Sequence, residues 1–325
     1  MGKKYSYSSS LSDFIEGHIR QKRSAGFIYN FEAYILRAFD DFLILNNYSE
    51  QSLTREIVQK WAVQRPTESR GYRAQRMSFI RQLSIYINGL GINSYIPKNF
   101  SSKHTPAPRI LNTKELLALF KIIDTEPCSE VGTFKRMAYE YRVLFRLFYC
   151  CGLRLAEGCY LKSENVDLDN GVLKIFQSKG NKDRLVYMPD DLTLFCREYW
   201  GYITIHFSDK PVWFFPSRDP SKPIPTNTLD YKFRQFWNQT QYSSDDKAPT
   251  VHSLRHSFVV DRMNSWMADG VNFGKMMAYL SKYLGHSSIN ETFYYYHQVE
   301  KAFYTVRKCD TISQRVIPEV ALYEE

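Results

Sequence analysis

The sequence predicts a mostly α-helical protein of two domains that carries one small β-meander. Three observations lead there. A length of 325 residues suggests two domains. Apolar residues recur at helical spacing through most of the chain. Residues 166–189 alone switch to β-rich runs, separated by DNG and KGNK, the composition of tight turns.

In chain order, residues 11–90 read as a helical unit. Phe27, Phe31, Tyr34, Ile35, Ala38, Phe39 and Phe42 form an apolar stripe. Thr54 is placed to cap a short helix that runs through Trp61 and stops near Pro66. Ser69 or Gly71 opens another, with Met77, Ile80, Leu83, Ile87 and Leu90 on one side. On that helix Arg70, Arg73 and Arg81 fall within roughly 80° of each other, whereas Arg76 falls in the apolar arc. Residues 91–111 are rich in Ser, Pro, Asn and Lys and read as a linker region. The domain boundaries expected are a helical domain over 1–103, a linker over 104–110, a second domain over 111–310 and a tail over 311–325. In the second domain Asn112 or Thr113 caps a helix over 116–123. A long helix from about Thr133 to Cys151 ends at Gly152, and another holds Leu155, Cys159 and Leu161. The meander follows. After Pro189 the pattern is helical again, apart from a proline-rich loop at 211–225.

Hydrophobic residues make up 44% of the chain, enough for ordinary cores. The net charge of +9 favours an anionic partner. That charge is uneven: residues 1–103 carry 15 lysines and arginines against 8 acids, a surplus of +7, and the remainder only +2. The N-terminal third is therefore the better electrostatic candidate for gripping a phosphate backbone. Six cysteines show no CxxC pair and no disulfide-framework spacing, which fits a reducing cytosol. The N-terminus lacks the apolar stretch of a signal peptide, and no window of about 20 apolar residues occurs. The expectation is a cytoplasmic protein with no membrane segment.

Four segments carry chemistry: CGLRLAE at 151–157, SKGNKDR at 178–184, HSLRH at 252–256 and LGHSSINETFYYYH at 284–297. Breaking a phosphodiester without a metal requires fixed cations for the nonbridging oxygens, a proton for the leaving oxygen and a nucleophile that loses one. The four segments offer a group for each task. His252 and Arg255, at i and i+3, share one helix face. HSLRH also has the i,i+4 histidine pair of a zinc-protease helix but lacks the glutamate after the first histidine, so no metal site is expected. Tyr294, Tyr295 and Tyr296 would point about 100° apart on a helix, so only one of them can face a phosphate.

The ordered set GLRxxE, a lysine at a β-turn, HxLRH, LGH and a tyrosine nine residues later resembles the tyrosine recombinase (phage integrase) family. The resemblance covers about residues 110–300, and the N-terminal helices are similar in type to that family's core-binding domain. It implies a helical core-binding domain plus an α+β catalytic domain, closed as a C-shaped clamp on double-stranded DNA. It implies Arg154 and Arg255 as phosphate-binding cations, with His286 at the family's third phosphate-binding position. Lys179 becomes the general acid, with Lys182 as the alternative. His252 assists proton transfer, Glu157 orients its neighbours and His256 supports the fold. The spacing from His286 selects Tyr295 as the nucleophile, which would form a 3′-phosphotyrosyl link without any cofactor. Arg70, Arg73, Arg81, Lys98 and Lys103 are candidates for DNA-backbone contacts. The family's tetramer on two DNA sites is the implied assembly, with accessory recombinases or directionality factors as further partners and nucleoid association when bound to DNA. Ile312, Val316, Ile317, Val320 and Leu322 of the tail suit an apolar plug for a neighbouring subunit or a cap in cis. A mobile-element integrase or transposase is the expected role. A type IB-like topoisomerase and a non-catalytic DNA-binding protein on the same fold are the alternatives. One departure is the segment 263–283, longer than many members show.

Overall fold

Several helix starts follow capping chemistry in the computed structural model, which describes residues 5–100, 108–126, 132–178, 182–207, 210–244 and 247–295. The chain divides into two units, Met1–Pro106 and Ala107–Glu325.

The first unit holds α1 (Ser12–Ser24), α2 (Asn30–Leu45), α3 (Arg55–Trp61) and α4 (Arg70–Gly89). The Thr54 hydroxyl accepts the Ile57 N–H at the start of α3, and the Ser69 hydroxyl accepts the Tyr72 N–H at the start of α4. Between the two openings considered for α4, Ser69 is thus the cap. The apolar stripe of α2 differs from the expected one. Phe27, Phe31 and Tyr34 are exposed, whereas Ile35 and Phe39 of the expected stripe are buried, together with Ala33, Leu36, Asp40 and Leu43. The segment has two apolar arcs, and only one can meet Ile15, Ile80 and Leu83 in the core. Asp40 is tolerated inside because it accepts the N–H groups of Ser8 and Ser9 and pairs with Arg37.

Arg76 does lie in the apolar arc of α4, and its surroundings explain why. It is 1% exposed, paired with buried Glu68, donating to the carbonyls of Trp61 and Val63, and set over the Trp61 ring. Its sequence position signals a structural tie between α4 and the end of α3.

The second unit opens with α5 (Thr113–Thr125), capped by a reciprocal box between Asn112 and Glu115. Then come α6 (Gly132–Cys150), α7 (Leu155–Cys159) and the sheet of β1 (Val166–Asp167), β2 (Val172–Ser178) and β3 (Lys182–Tyr187). The strands are antiparallel in the order β1-β2-β3, with Ile175 opposite Arg184 and Ser178 opposite Lys182. Four more helices were anticipated only as a helical pattern: α8 (Asp190–His206), α9 (Thr226–Trp237), α10 (Val251–Ala268) and α11 (Phe273–Leu284). A short α12 (Asn290–Phe293) follows. Two expectations need correction. The helix after Gly152 is only five residues, and Leu161 lies beyond it, buried where Phe214 N–H reaches its carbonyl. Tyr294 and Tyr295 follow α12 in a turn rather than riding on a long helix.

The main core surrounds α6, with Phe145, Phe148, Phe233, Phe236 and Trp237 fully buried. A second cluster joins α10 to α11 through Phe258, Val259, Met263, Met277, Leu280 and Leu284, and it closes on Tyr295. The long segment 263–283 is therefore core-forming: it completes α10, turns at Gly270 and builds α11 beneath the tyrosine.

Candidate active site

The site assembles where α7, β3, α10 and the end of α11 converge. Gly152 ends the run after α6 with φ +60, and an added Cβ would lie 2.7 Å from the Phe258 ring. The chain can therefore turn here only as glycine, and that turn delivers Arg154 to the start of α7. The Glu157 carboxylate accepts the Arg154 backbone N–H at 2.8 Å and its Nη1 at 2.9 Å. Arg154 Nη2 donates to the Gly285 carbonyl at 2.8 Å, tying α7 to the end of α11.

Arg184 of β3 clasps the same carboxylate with two hydrogen bonds, at 2.8 and 2.7 Å, and its Nε donates to the Tyr283 carbonyl. Glu157 is therefore shared by two guanidiniums. It offsets charge and fixes Arg154 in direction. Arg184, the last residue of SKGNKDR, is not among those to which the family resemblance gives a role. Its only signal was a position on the strand leaving the lysine turn, opposite Ile175.

Arg255 on α10 is 2% exposed. It donates to the carbonyls of Gly152 and Leu284, and its Nη2 lies 3.1 Å from His286 Nε2. Burial, then the neighbouring Arg154, lowers its pKa to about 10, with Glu157 opposing. A guanidinium can only donate, so His286 Nε2 accepts. The ring proton then sits on Nδ1, which donates to Thr292 Oγ1 at 2.6 Å. Burial and Arg255 bring the His286 pKa down to about 4, so the ring is neutral near pH 7.

Tyr295 is 6% exposed, while Tyr294 is 41% exposed. The Tyr295 hydroxyl meets His256 Nδ1 at 2.6 Å. Burial pushes its pKa up to about 12, against the pull of Arg255 and Arg154. His256 was expected to support the fold and instead touches the tyrosine hydroxyl. His252, one turn earlier, is exposed, and its ring stands 4.6 Å from that of His256, nearly perpendicular. The signal was present in the sequence, since the two histidines at i and i+4 share a helix face.

The structure thus brings Arg154, His252, Arg255, His286 and Tyr295 into one neighbourhood. Lys179 lies outside the described residues. Beside Arg154 a cavity of about 640 Å³ opens, lined by Glu157, Tyr160, Lys162, Lys174 and Trp213 among others. In the first unit, Arg70 and Lys98 are exposed. Arg73 and Arg81 are half-buried, donating to the carbonyls of Ala62 and Pro97, so they are not a solvated stripe with Arg70. Lys103 lies outside the described residues.

The phage integrase family profile matches residues 109–302. The chain belongs to the phage integrase family. A Sinorhizobium fredii protein described as an integrase/recombinase, y4rE, is 27% identical over 294 residues, covering 89% of this chain and 92% of its own. The tyrosine recombinase XerD of Staphylococcus aureus is 28% identical over 192 residues, 58% of each chain. Solved structures share the fold. The XerH site-specific recombinase bound to palindromic difH substrate covers 92% of this chain and 84% of its own, at 20% identity and TM-score 0.63. The Tn1549 transposon integrase in complex with transposon right end DNA covers 91% of this chain and 99% of its own, at 15% identity and TM-score 0.63. No helix among the described residues is long and apolar enough to cross a membrane.

Proposed function

We propose that this chain is a site-specific DNA recombinase that cuts and rejoins strands through a covalent bond to Tyr295. The observation that carries this reading is the junction of Tyr295, Arg154, Arg255 and His286 around the end of α11. A scissile phosphate beside Arg154 and Arg255 would have its nonbridging oxygens held by two guanidiniums whose directions are set by Glu157, Gly152 and Leu284. His286, neutral with its proton toward Thr292, would take part at the third side.

The Tyr295 oxygen attacks phosphorus, the P–O5′ bond breaks, and the phosphate stays on the tyrosine as a 3′-phosphotyrosyl ester. The tyrosine proton leaves to a neighbouring imidazole. The 5′-oxygen collects a proton from Lys179, which lies between β2 and β3 in the sequence. Attack by a 5′-hydroxyl of a second duplex reverses these steps and joins new strands. The phosphoester bond is conserved throughout, so no nucleotide hydrolysis is called for. Residues 1–103, with their surplus of +7, supply further grip on double-stranded DNA. A tetramer on two duplexes, a tail that plugs a neighbouring subunit and a mobile-element role belong to the same proposal.

The test is a suicide duplex nicked beside the cleavage point, built on a site selected for binding by the full chain. Wild type should trap a covalent adduct, and Tyr295→Phe should trap none. An adduct that persists in Tyr295→Phe would place the nucleophile elsewhere. Absence of any adduct on every selected site would leave a DNA-binding protein.

A further inference from the structure

We propose that His256 is the residue that positions Tyr295 and first accepts its proton, with the exposed His252 behind it. This rests on Tyr295 being the nucleophile, as argued above. Three observations carry it. The Tyr295 hydroxyl meets His256 Nδ1 at 2.6 Å. The two rings are 5.3 Å apart and tilted, so Tyr295 packs on the imidazole as well as bonding to it. The His252 ring lies 4.6 Å further along the same face of α10, toward solvent.

The geometry sets the order of events. In the DNA-free protein the His256 ring is neutral. Burial lowers its pKa to about 3, helped by His252, Arg255, Lys247 and His286. A neutral Nδ1 accepts from the phenol and favours its protonated form, so the nucleophile is held quiet and aimed. Arg255, beside both rings, is charged in this state. A bound phosphodiester brings a negative charge against Arg255 and Arg154, which offsets the cations that disfavour a protonated His256. As the Tyr295–phosphorus bond forms, the phenol proton passes to His256 Nδ1. The proton already on Nε2 then leaves outward, past His252. One proton enters the ring and one departs, so the ring returns to neutral.

The experiment compares wild type, His256→Ala, His256→Asn and His252→Ala as full-length chains. The asparagine carbonyl sits near the place of Nδ1 and restores an acceptor. The first readout is single-turnover adduct formation on the nicked, selected duplex between pH 6 and 9, with DNA affinity measured alongside. His256→Ala should slow cleavage by on the order of 100-fold with affinity unchanged, and its rate should climb with pH where wild type is flat. His256→Asn should stay slow, because its amide accepts the hydrogen bond but cannot take the proton. The second readout needs no DNA: acetylation of Tyr295 by N-acetylimidazole, located by peptide mass mapping. It should rise several-fold in His256→Ala and stay near wild type in His256→Asn. Wild-type cleavage by His256→Ala overturns the proposal, and so does wild-type cleavage by His256→Asn, which would leave His256 a positioning group that takes no proton. If wild type itself forms no adduct, the functional reading fails, yet the acetylation comparison still decides the contact: unchanged labelling in His256→Ala overturns it.

Discussion

Replacing Gly152 with alanine tests whether the turn before Arg154 organises the site. Gly152 has φ +60, and its Cβ would lie 2.7 and 2.9 Å from two Phe258 ring atoms and 3.2 Å from Leu284. The left-handed backbone alone costs about 1–2 kcal/mol for a residue with a side chain. Crowding a packed core adds about 1–3 kcal/mol, because Phe258 and Leu284 are buried with nowhere to retreat. The expected loss is therefore about 2–5 kcal/mol. Gly270 is the matched control in the same unit. Its φ is +66 and nothing lies within 4 Å of its would-be Cβ, so alanine there should cost only the backbone part, about 1–2 kcal/mol. Urea unfolding of the two variants, monitored by a signal from the second unit, separates the terms. The Gly152 carbonyl also accepts from Arg255, so Gly152→Ala should slow adduct formation by at least about tenfold even where the protein is folded. A Gly152→Ala protein that loses no more stability than Gly270→Ala would refute the packing argument.

Other contacts carry outcomes of their own. Arg76→Met should destabilise the N-terminal unit by about 3–5 kcal/mol, since Glu68 is left buried without its partner, and the double variant Arg76→Met, Glu68→Leu should lose less. Melting curves of the three proteins check this. His18 is buried against Tyr29, and burial lowers its pKa to about 4 from 6.5. The folded state therefore binds fewer protons than the unfolded one between those values, so its contribution is complete above pH 6.5 and shrinks as pH falls toward 4. It amounts to about 3 kcal/mol at most. The difference in stability between wild type and His18→Gln should carry that pH slope, and a flat difference would show that His18 is not the source. Arg184→Ala should cost about 2–3 kcal/mol and cut adduct yield, because Glu157 loses the two-pronged contact that holds Arg154. Arg184→Lys should recover stability only in part, since an ammonium cannot reproduce the fork.

Much of the fold was legible because it rests on local chemistry. Thr54, Ser69 and Asn112 announce helix starts through the N–H groups they accept, and the change of period at 166–189 announces the sheet. The exposed half of the α2 stripe, Phe27, Phe31 and Tyr34, differs because the segment has two apolar arcs, and the choice between them belongs to partners far away in the chain. Arg76, placed in an apolar arc by its spacing, marks a buried ion pair with Glu68.

By itself the sequence determined which groups are available for phosphodiester chemistry and in what order they occur, because residue type and local spacing are properties of the chain. Only the tertiary structure decided how they are wired. Glu157 is shared between Arg154 and a strand arginine, Arg255 is locked by two carbonyls, and Tyr295 rests on His256 rather than on the exposed His252. Apart from the Glu157–Arg154 pair, three positions apart, those contacts join residues 27 to 103 positions apart. No local pattern encodes such pairs, because they form only when α7, β3, α10 and α11 pack on one another.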